Sequence, residues 1–573
     1  MDKKKVREFE PAIITAFKKG YSLTQFYSDI SAGIIVGIIA IPLSIALAIA
    51  SGVSPDKGLL TAIIGGVFVG LFGGSKVQIA GPTGAFVVIV YGIISKYGID
   101  GLIAATLMAG VILILMGILK MGNMIKFIPY PITTGFTSGI AITIFSTQIK
   151  EFFGLNIENI PSEFLSKWQE YFKAILALNF NFTQFYIGIT SIIIIILWSK
   201  FNKKIPGSLI AVILMTIISI AFNLNVETIG SRFGDLSFHV PTIQFNFSKI
   251  NFLELVSPAL TIALLASIES LLSAVVADGM TGKTHKSNME LIGQGTANVV
   301  SGIFGGIPIT GAIARTAANV KNGGTTPVSA IIHSLFLLIS MILFLPYVKL
   351  IPMSVLAAIL IVVSYNMGEW HELIKITRAP KSDIVVYFVT FLVTVILDLV
   401  VAIEIGMILA SFLFLKRMAD ISEVKMVEVE DKEDELYNKE NEEKLLLKHG
   451  VDKKEAKKIM EKMAIYEVSG PFFFGAADKF MKVTKEIDKD LKILIIDMQK
   501  VPAMDATAYH ALEILDEMCK KRNVELFLIR VQKQPIRLML KYGFMDNYIR
   551  EHIFSSFEHA FEKSIDLIKQ KEN

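Results

Sequence analysis

Between about residue 30 and residue 416 the chain is a succession of apolar runs, many of them near twenty residues long, separated by short polar turns. A run of that length crosses the hydrocarbon core of a bilayer as a helix. Helices and closed barrels are the only structures that satisfy every backbone polar group there. The remaining composition agrees, with 53% hydrophobic and only 19% charged residues in 573. A soluble globular chain of this length is excluded, and the fold class is a polytopic α-helical membrane protein. The net charge of +4 makes no case for a nucleic-acid partner. One cysteine, Cys519, provides neither a disulfide framework nor a metal cluster. The eight histidines are scattered without zinc-ligand spacing, so no metal, cofactor or catalytic residue is expected.

Residues 1–27 are basic, with Lys3, Lys4, Lys5, Arg7, Lys18 and Lys19, but lack the apolar core and cleavage site of a signal peptide. They read as a cytoplasmic flank, whose stretch from Phe9 to Phe17 can lie along the membrane surface. The transmembrane domain, 28–417, divides into 28–222 and 254–417, each read as seven segments. Spans are expected near 30–50 and 59–71, then from Ala85 after a break, and near 102–119, 127–148, 184–199 and 206–222. The second set lies near 256–277, 289–304, 312–321, 326–346, 350–366, 383–397 and 400–416. Lysines and arginines concentrate in alternate loops, among them Lys200, Lys203, Lys283, Lys286, Arg378 and Lys381, which places both termini in the cytoplasm. Asp398 and Glu404 are expected in the turn between the last two spans.

The third segment of each half is broken: Gly81-Pro82-Thr83-Gly84 in the first, Gly305 to Gly311 in the second. Matching breaks in two halves point to an inverted-repeat transporter with its site near mid-membrane. Two charges accompany the second break, one about a bilayer crossing before it and one just after it. Glu269 lies midway along an apolar helix, and Arg315 follows the second break. Both are costly in hydrocarbon, about 2.5–3.5 kcal/mol each on insertion scales. After Arg417 the composition turns polar. A linker and charged insertion, 418–463, precede alternating strands and helices over 464–573, a small α/β domain.

Several motifs then carry a resemblance: Pro55 to Thr61, Gly81 to Phe86, Asp278 through Gly293 to Asn298, Gly311 to Thr316, and Met504 to Ala508. With them the chain resembles the sulfate permease (SulP) family of anion transporters, which end in a STAS domain. The resemblance implies fourteen segments in a seven-plus-seven inverted repeat. Segments 1–4 and 8–11 would form a core that carries the anion, and the others a gate, in a homodimer.

The anion site is expected between the breaks, because helix N-termini present free amides and positive dipole ends. Gly84, Ala85 and Phe86, and Gly311, Ala312, Ile313 and Ala314, would surround it. Thr83 and Thr310 are hydroxyl donors, and Pro42 and Ser44 lie in the first span. Arg315 either raises the potential for anions, pairs with a carboxylate, or snorkels to water. Glu269, with Ser273 four residues on, is the candidate for carrying a proton. Sodium-coupled relatives are similar in pairing Asp at this position with a hydroxyl on the tenth segment. Here Glu269 and Ile313 stand instead, which speaks for protons over sodium. Leu43 replaces a Gln that many members place after the helix proline, and Ser44 can compensate. Thr507 falls where related domains carry a phosphoacceptor, although Asp505 as a helix cap explains the same stretch. His333 is expected to be a satisfied structural histidine.

The expected function is secondary active transport of a small oxyanion: sulfate first, then bicarbonate or a C4-dicarboxylate. An uncoupled channel or exchanger, and an anion sensor signalling through the STAS domain, are the alternatives. The expected partners are the anion, a proton, membrane lipid, a second copy of the chain, and a cytoplasmic ligand of the STAS domain. The location is the cytoplasmic (inner) cell membrane.

Overall fold

The computed structural model describes residues 8–123, 128–157, 160–161, 163–201, 205–234, 250–397, 399–426, 458, 461–485, 490–543 and 552–572. The expected basic stretch Lys3 to Arg7, the turn residue Asp398 and most of the charged insertion lie outside them. The chain forms two compact units, Met1–Ile408 and Leu409–Asn573.

A short helix, α1 (Ala12–Lys18), opens the first unit and is pinned by the Ala12 amide donating to Gly73 O at 2.9 Å. Next come α2 (Leu23–Ala50) and α3 (Pro55–Phe72). A capping box starts α2: Ser22 Oγ accepts from the Gln25 amide at 3.2 Å, and Gln25 Oε1 from the Ser22 amide at 3.0 Å. The helix continues through Pro42. Pro55 starts α3, where its missing N–H costs nothing. The strand β1 (Ala80–Gly81) leads into α4 (Gly84–Ile118), which is two helices joined at Gly98, at φ 71°. That conformation is open to glycine without a Cβ penalty. The first half closes with α5 (Tyr130–Phe153), the short α6 (Phe164–Leu176), α7 (Phe182–Phe201) and α8 (Gly207–Ala221).

After a single-turn α9 (Ile229–Phe233), the second half repeats the order helix, helix, strand, helix. These are α10 (Phe252–Thr281), α11 (Ser287–Ile303), β2 (Thr310–Gly311) and α12 (Ile313–Lys321). There follow α13 (Val328–Val348), α14 (Met353–Met367), α15 (Trp370–Ile376), α16 (Lys381–Ile396) and α17 (Leu399–Ile421). The helical segments fall where the apolar runs predict them, with Gly98 dividing the third span from the fourth. Glu404 is an exposed residue within α17, not a turn residue. Among the described residues, six helices are long and apolar enough to cross a membrane by length and composition.

The halves interleave. Helix α4 packs on α10 and α11, and α13 on α2 and α3, while α5 packs on α14 and α16. The α4–α11 crossing is a backbone-to-backbone contact. A Cβ on Gly110 would meet Gly295 O at 2.7 Å, and one on Gly295 would meet Gly110 O at 2.6 Å. Small residues at such crossings let helices approach closely enough for dispersion to hold them in lipid.

In the second unit a five-stranded sheet runs in the order β3 (Glu423–Met426), β4 (Met463–Ser469), β5 (Ile493–Lys500), β6 (Glu525–Ile529), β7 (Ile553–Phe554). The first pair is antiparallel and the rest parallel. Alternate residues serve opposite faces, the period of a strand. Tyr466, Leu494, Ile496 and Leu528 meet α18 (Phe474–Lys485), α19 (Ala506–Lys521) and α20 (Lys533–Lys541). Ile465, Ile495, Phe527 and Ile529 meet α21 (Phe557–Glu572). The domain therefore begins earlier than expected, because Glu423–Met426, read as linker, supplies the edge strand. Burial inside this core pushes the Cys519 thiol up to about 12.

Replacing Gly295 with Leu should force α4 and α11 apart. Overpacking of this kind costs about 1–3 kcal/mol, visible as a lower melting temperature of the detergent-solubilised protein. Gly279→Ala, where nothing lies within 4 Å of the new Cβ, should leave melting unchanged or slightly raised.

Candidate functional site

The two breaks meet. Strands β1 and β2 pair antiparallel, Ala80 opposite Gly311 and Gly81 opposite Thr310. Because they run antiparallel, α4 and α12 start from opposite ends of one two-residue ladder. Irregular backbone inside a membrane protein needs partners for its polar groups, and buried side chains supply them. Asn298 holds Ile309 at both groups, Nδ2 donating to its carbonyl and Oδ1 accepting from its amide, each at 2.8 Å. Ser301 Oγ donates to Ile307 O at 2.8 Å, and Thr61 Oγ1 accepts from the Ile307 amide at 2.9 Å. Thr316 Oγ1 accepts from the Ile79 amide, and Ser270 Oγ from the Gly311 amide.

At the first helix start, geometry leaves the Gly84 and Ala85 amides without an intrahelical acceptor. The Phe86 amide turns back to Thr83 O at 3.3 Å. At the second start, the amides of Ile313, Ala314 and Arg315 lack an intrahelical acceptor. That of Ala312 does not join them. It donates to Ile79 O at 2.9 Å, extending the ladder, so Ala312 is removed from the expected donor set. The Phe86 amide is removed likewise. Its ring is fully buried in the core.

Glu269, from α10, is half-buried and reaches across to the first break, where Thr83 Oγ1 donates to Oε2 at 2.9 Å. Arg315 does the same from α12. It is 1% exposed, and Nη2 donates to Pro82 O at 2.7 Å. Its Nε and Nη1 have no protein partner among the described residues. A Cβ at Gly81 would lie 2.5 Å from Nη1, so glycine there gives the guanidinium its place against the first break. Arg315 thus neither snorkels to water nor forms an ion pair with Glu269 within 4 Å.

Other expected residues are used differently. The Thr310 hydroxyl is taken up inside the fold, against Ala266 O at 3.1 Å and Ser270 Oγ at 2.9 Å. Ser273 does not face Glu269's partner but donates to Thr316 Oγ1 at 3.1 Å. Gly311 lies beneath Gln78, whose side chain donates to Ser270 O. Ser44 is fully buried with no partner on Oγ among the described residues, and Pro42 is buried beside it in the same helix. His333, expected to be satisfied, is fully buried with neither ring nitrogen partnered among the described residues. Thr507 is exposed at the start of α19, and Asp505 caps that helix through the Ala508 amide at 2.8 Å.

Sequence reasoning missed the scaffold residues Asn298, Ser301, Ser270 and Thr316. Glu290, Gln294, Asn298 and Ser301 recur at helical spacing along α11, and that buried polar stripe was the available signal. Glu290 heads it, accepting the Gly74 and Ser75 amides at 2.8 Å each and Gln294 Nε2 at 3.0 Å.

A helical membrane unit with crossed half-helices, followed by an α/β domain, is also the architecture of murine SLC26A9. A solved structure of it in the inward-facing state overlays with TM-score 0.84 at 18% identity, over 100% of this chain and 95% of that one. The transmembrane domain of a cyanobacterial bicarbonate transporter, BicA, overlays with TM-score 0.59 at 29% identity, covering 68% of this chain and 98% of that one. Residues 26–390 match the sulfate permease family model and residues 453–560 the STAS domain model. The chain belongs to the sulfate permease family. A putative sulfate transporter of Bacillus subtilis, YvdB, is 39% identical over 94% of this chain and 97% of that protein. The bicarbonate transporter BicA of Picosynechococcus is 30% identical over 94% of each. The relatives are named as transporters, and this chain is an anion-transporter family member of the membrane, not an enzyme.

Asn298→Ala strands both polar groups of Ile309. Each unsatisfied buried group costs about 1–3 kcal/mol, so the variant should melt well below wild type, and an unchanged melting temperature would contradict the scaffold role.

Proposed function

We propose that the chain is a secondary active transporter of a small oxyanion, sulfate before bicarbonate or a C4-dicarboxylate, in symport with protons. The observation that carries this reading is the crossed pair of helix starts with a carboxylate hydrogen-bonded to the N-cap of one of them. The amides of Gly84, Ala85, Ile313 and Ala314, which lack intrahelical acceptors, bind the anion as helix N-termini do. Arg315, held by Pro82 with two nitrogens unspent, supplies a fixed positive charge beside the ladder.

Coupling follows from the Thr83–Glu269 bond. An ionised Glu269 claims the Thr83 hydrogen and places a negative charge beside the site. A proton on Glu269 removes that charge and frees the hydroxyl to turn toward the anion. The anion is therefore bound best with its proton aboard. The seven-plus-seven order forms an inverted repeat because seven is odd. The ladder unit, α2–α4 with α10–α13, moves against α5, α7, α8, α14, α16 and α17 to alternate access. The protein works as a homodimer in the cytoplasmic membrane with both termini inside.

Uptake of labelled sulfate, bicarbonate and succinate into liposomes, under separately imposed proton and sodium gradients, tests this. Accumulation driven by the proton gradient alone is expected. Flux indifferent to both gradients would leave an uncoupled exchanger or channel, and no flux would favour a sensor. Glu269→Gln should abolish proton-driven accumulation, and full gradient-driven uptake by that variant would refute the coupling role. Arg315→Ala should weaken anion binding roughly tenfold or more, the scale of a hydrogen bond to a charged group, measured by titration of the purified protein.

A further inference from the structure

A second feature of the membrane unit lies apart from the crossed helix starts. A cavity of about 760 Å³ is walled by α2, α4, α5, α6, α9, α10, α14 and α16, and neither Thr83, Glu269 nor Arg315 lines it. Its wall includes Ala46 and Val87, two and one residues from Ser44 and Phe86, so it extends to within about a helical turn of the first helix start. Four cations and three carboxylates line it, and their bonding separates them.

Arg232 is bidentate to Glu151 at 2.9 Å and also held by Glu227 at 2.8 Å. Lys150 Nζ donates to Ile157 O at 2.7 Å, and Lys96 Nζ lies 5.0 Å over the Tyr97 ring. Glu254 accepts from Asn251 at 2.9 Å, and Glu163 from Ser166 at 3.0 Å. Lys167 is the exception. It is 8% exposed, it lines the cavity, and its ammonium has no hydrogen bond, ion pair or ring contact among the described residues, whereas Lys150 and Lys96, which also lack a carboxylate, have a carbonyl and a ring. Glu163, the N-cap residue of α6 one turn earlier, does not reach it. Burial holds the Lys167 ammonium below the usual lysine range, with no opposing carboxylate to restore it.

A buried, unpaired cation is costly unless something of opposite charge joins it. We propose that this cavity is a second anion site, in which the Lys167 ammonium holds a small inorganic oxyanion short of the helix starts. The anion supplies the missing counter-charge, and the other three cations, Arg232, Lys150 and Lys96, are balanced in number by Glu151, Glu163 and Glu254. As a holding site on the route, it rests on the transport reading. As a binding site it does not.

The experiment titrates the purified full-length protein with sulfate and, separately, with bicarbonate at constant ionic strength, reading stoichiometry and affinity. Wild type and Lys167→Arg should bind two anions per chain. Lys167→Gln should lose one binding event or weaken it roughly tenfold, the scale of one charge-assisted hydrogen bond. Identical binding by wild type and Lys167→Gln would overturn the site. So would an equal loss in Lys167→Arg, which would trace the effect to packing, or no saturable binding of either anion to wild type. Liposome uptake by the same preparations scores transport separately. Lys167-dependent binding without flux would support the site while retiring the transport reading.

Discussion

Everything in the membrane unit depends on joining two interrupted helices by a ladder only two residues long. Breaking a helix in a membrane exposes backbone groups that lipid cannot satisfy. The chain answers with a set of buried hydroxyl and amide side chains, each committed to a named backbone atom. Asn298, Ser301, Thr61, Thr316 and Ser270 are consequently as necessary to the site as any residue that would touch an anion. Their cost is met by complete satisfaction, since a half-satisfied buried network is worse than an apolar one.

The two charges that look like natural partners in sequence are separated by the fold. Glu269 goes to the Thr83 hydroxyl and Arg315 to the Pro82 carbonyl, adjacent residues of the first break. A mutual ion pair would have neutralised both and left a structural staple. Kept apart, each is tied to the first break by its own hydrogen bond, the carboxylate to a hydroxyl and the guanidinium to a carbonyl. Nε and Nη1 of Arg315 have no protein partner among the described residues.

Helix count, the two breaks and the α/β domain were legible because apolar run length, Gly-Pro punctuation and strand alternation are local signals. The division of α4 at Gly98 is a finding of the structure. What was not legible depends on contacts between the halves. Nothing local says that Ala312 gives its amide to Ile79, or that Thr310 turns to Ala266 and Ser273 to Thr316. A hydroxyl in an apolar helix reads the same whether it faces a ligand or a carbonyl. The early start of the STAS sheet was missed for a related reason. An edge strand has only one paired side, and Glu423–Met426 has no apolar alternation to announce it.

The exchange of partners across the ladder also bears on how such a chain can be divided. Both charged side chains come from the second half, while the atoms they bind, Thr83 Oγ1 and Pro82 O, come from the first. Neither half alone carries a complete site, however well it inserts. Each is a half-reagent, and a chain severed between them could regain function only when both pieces assemble in one bilayer.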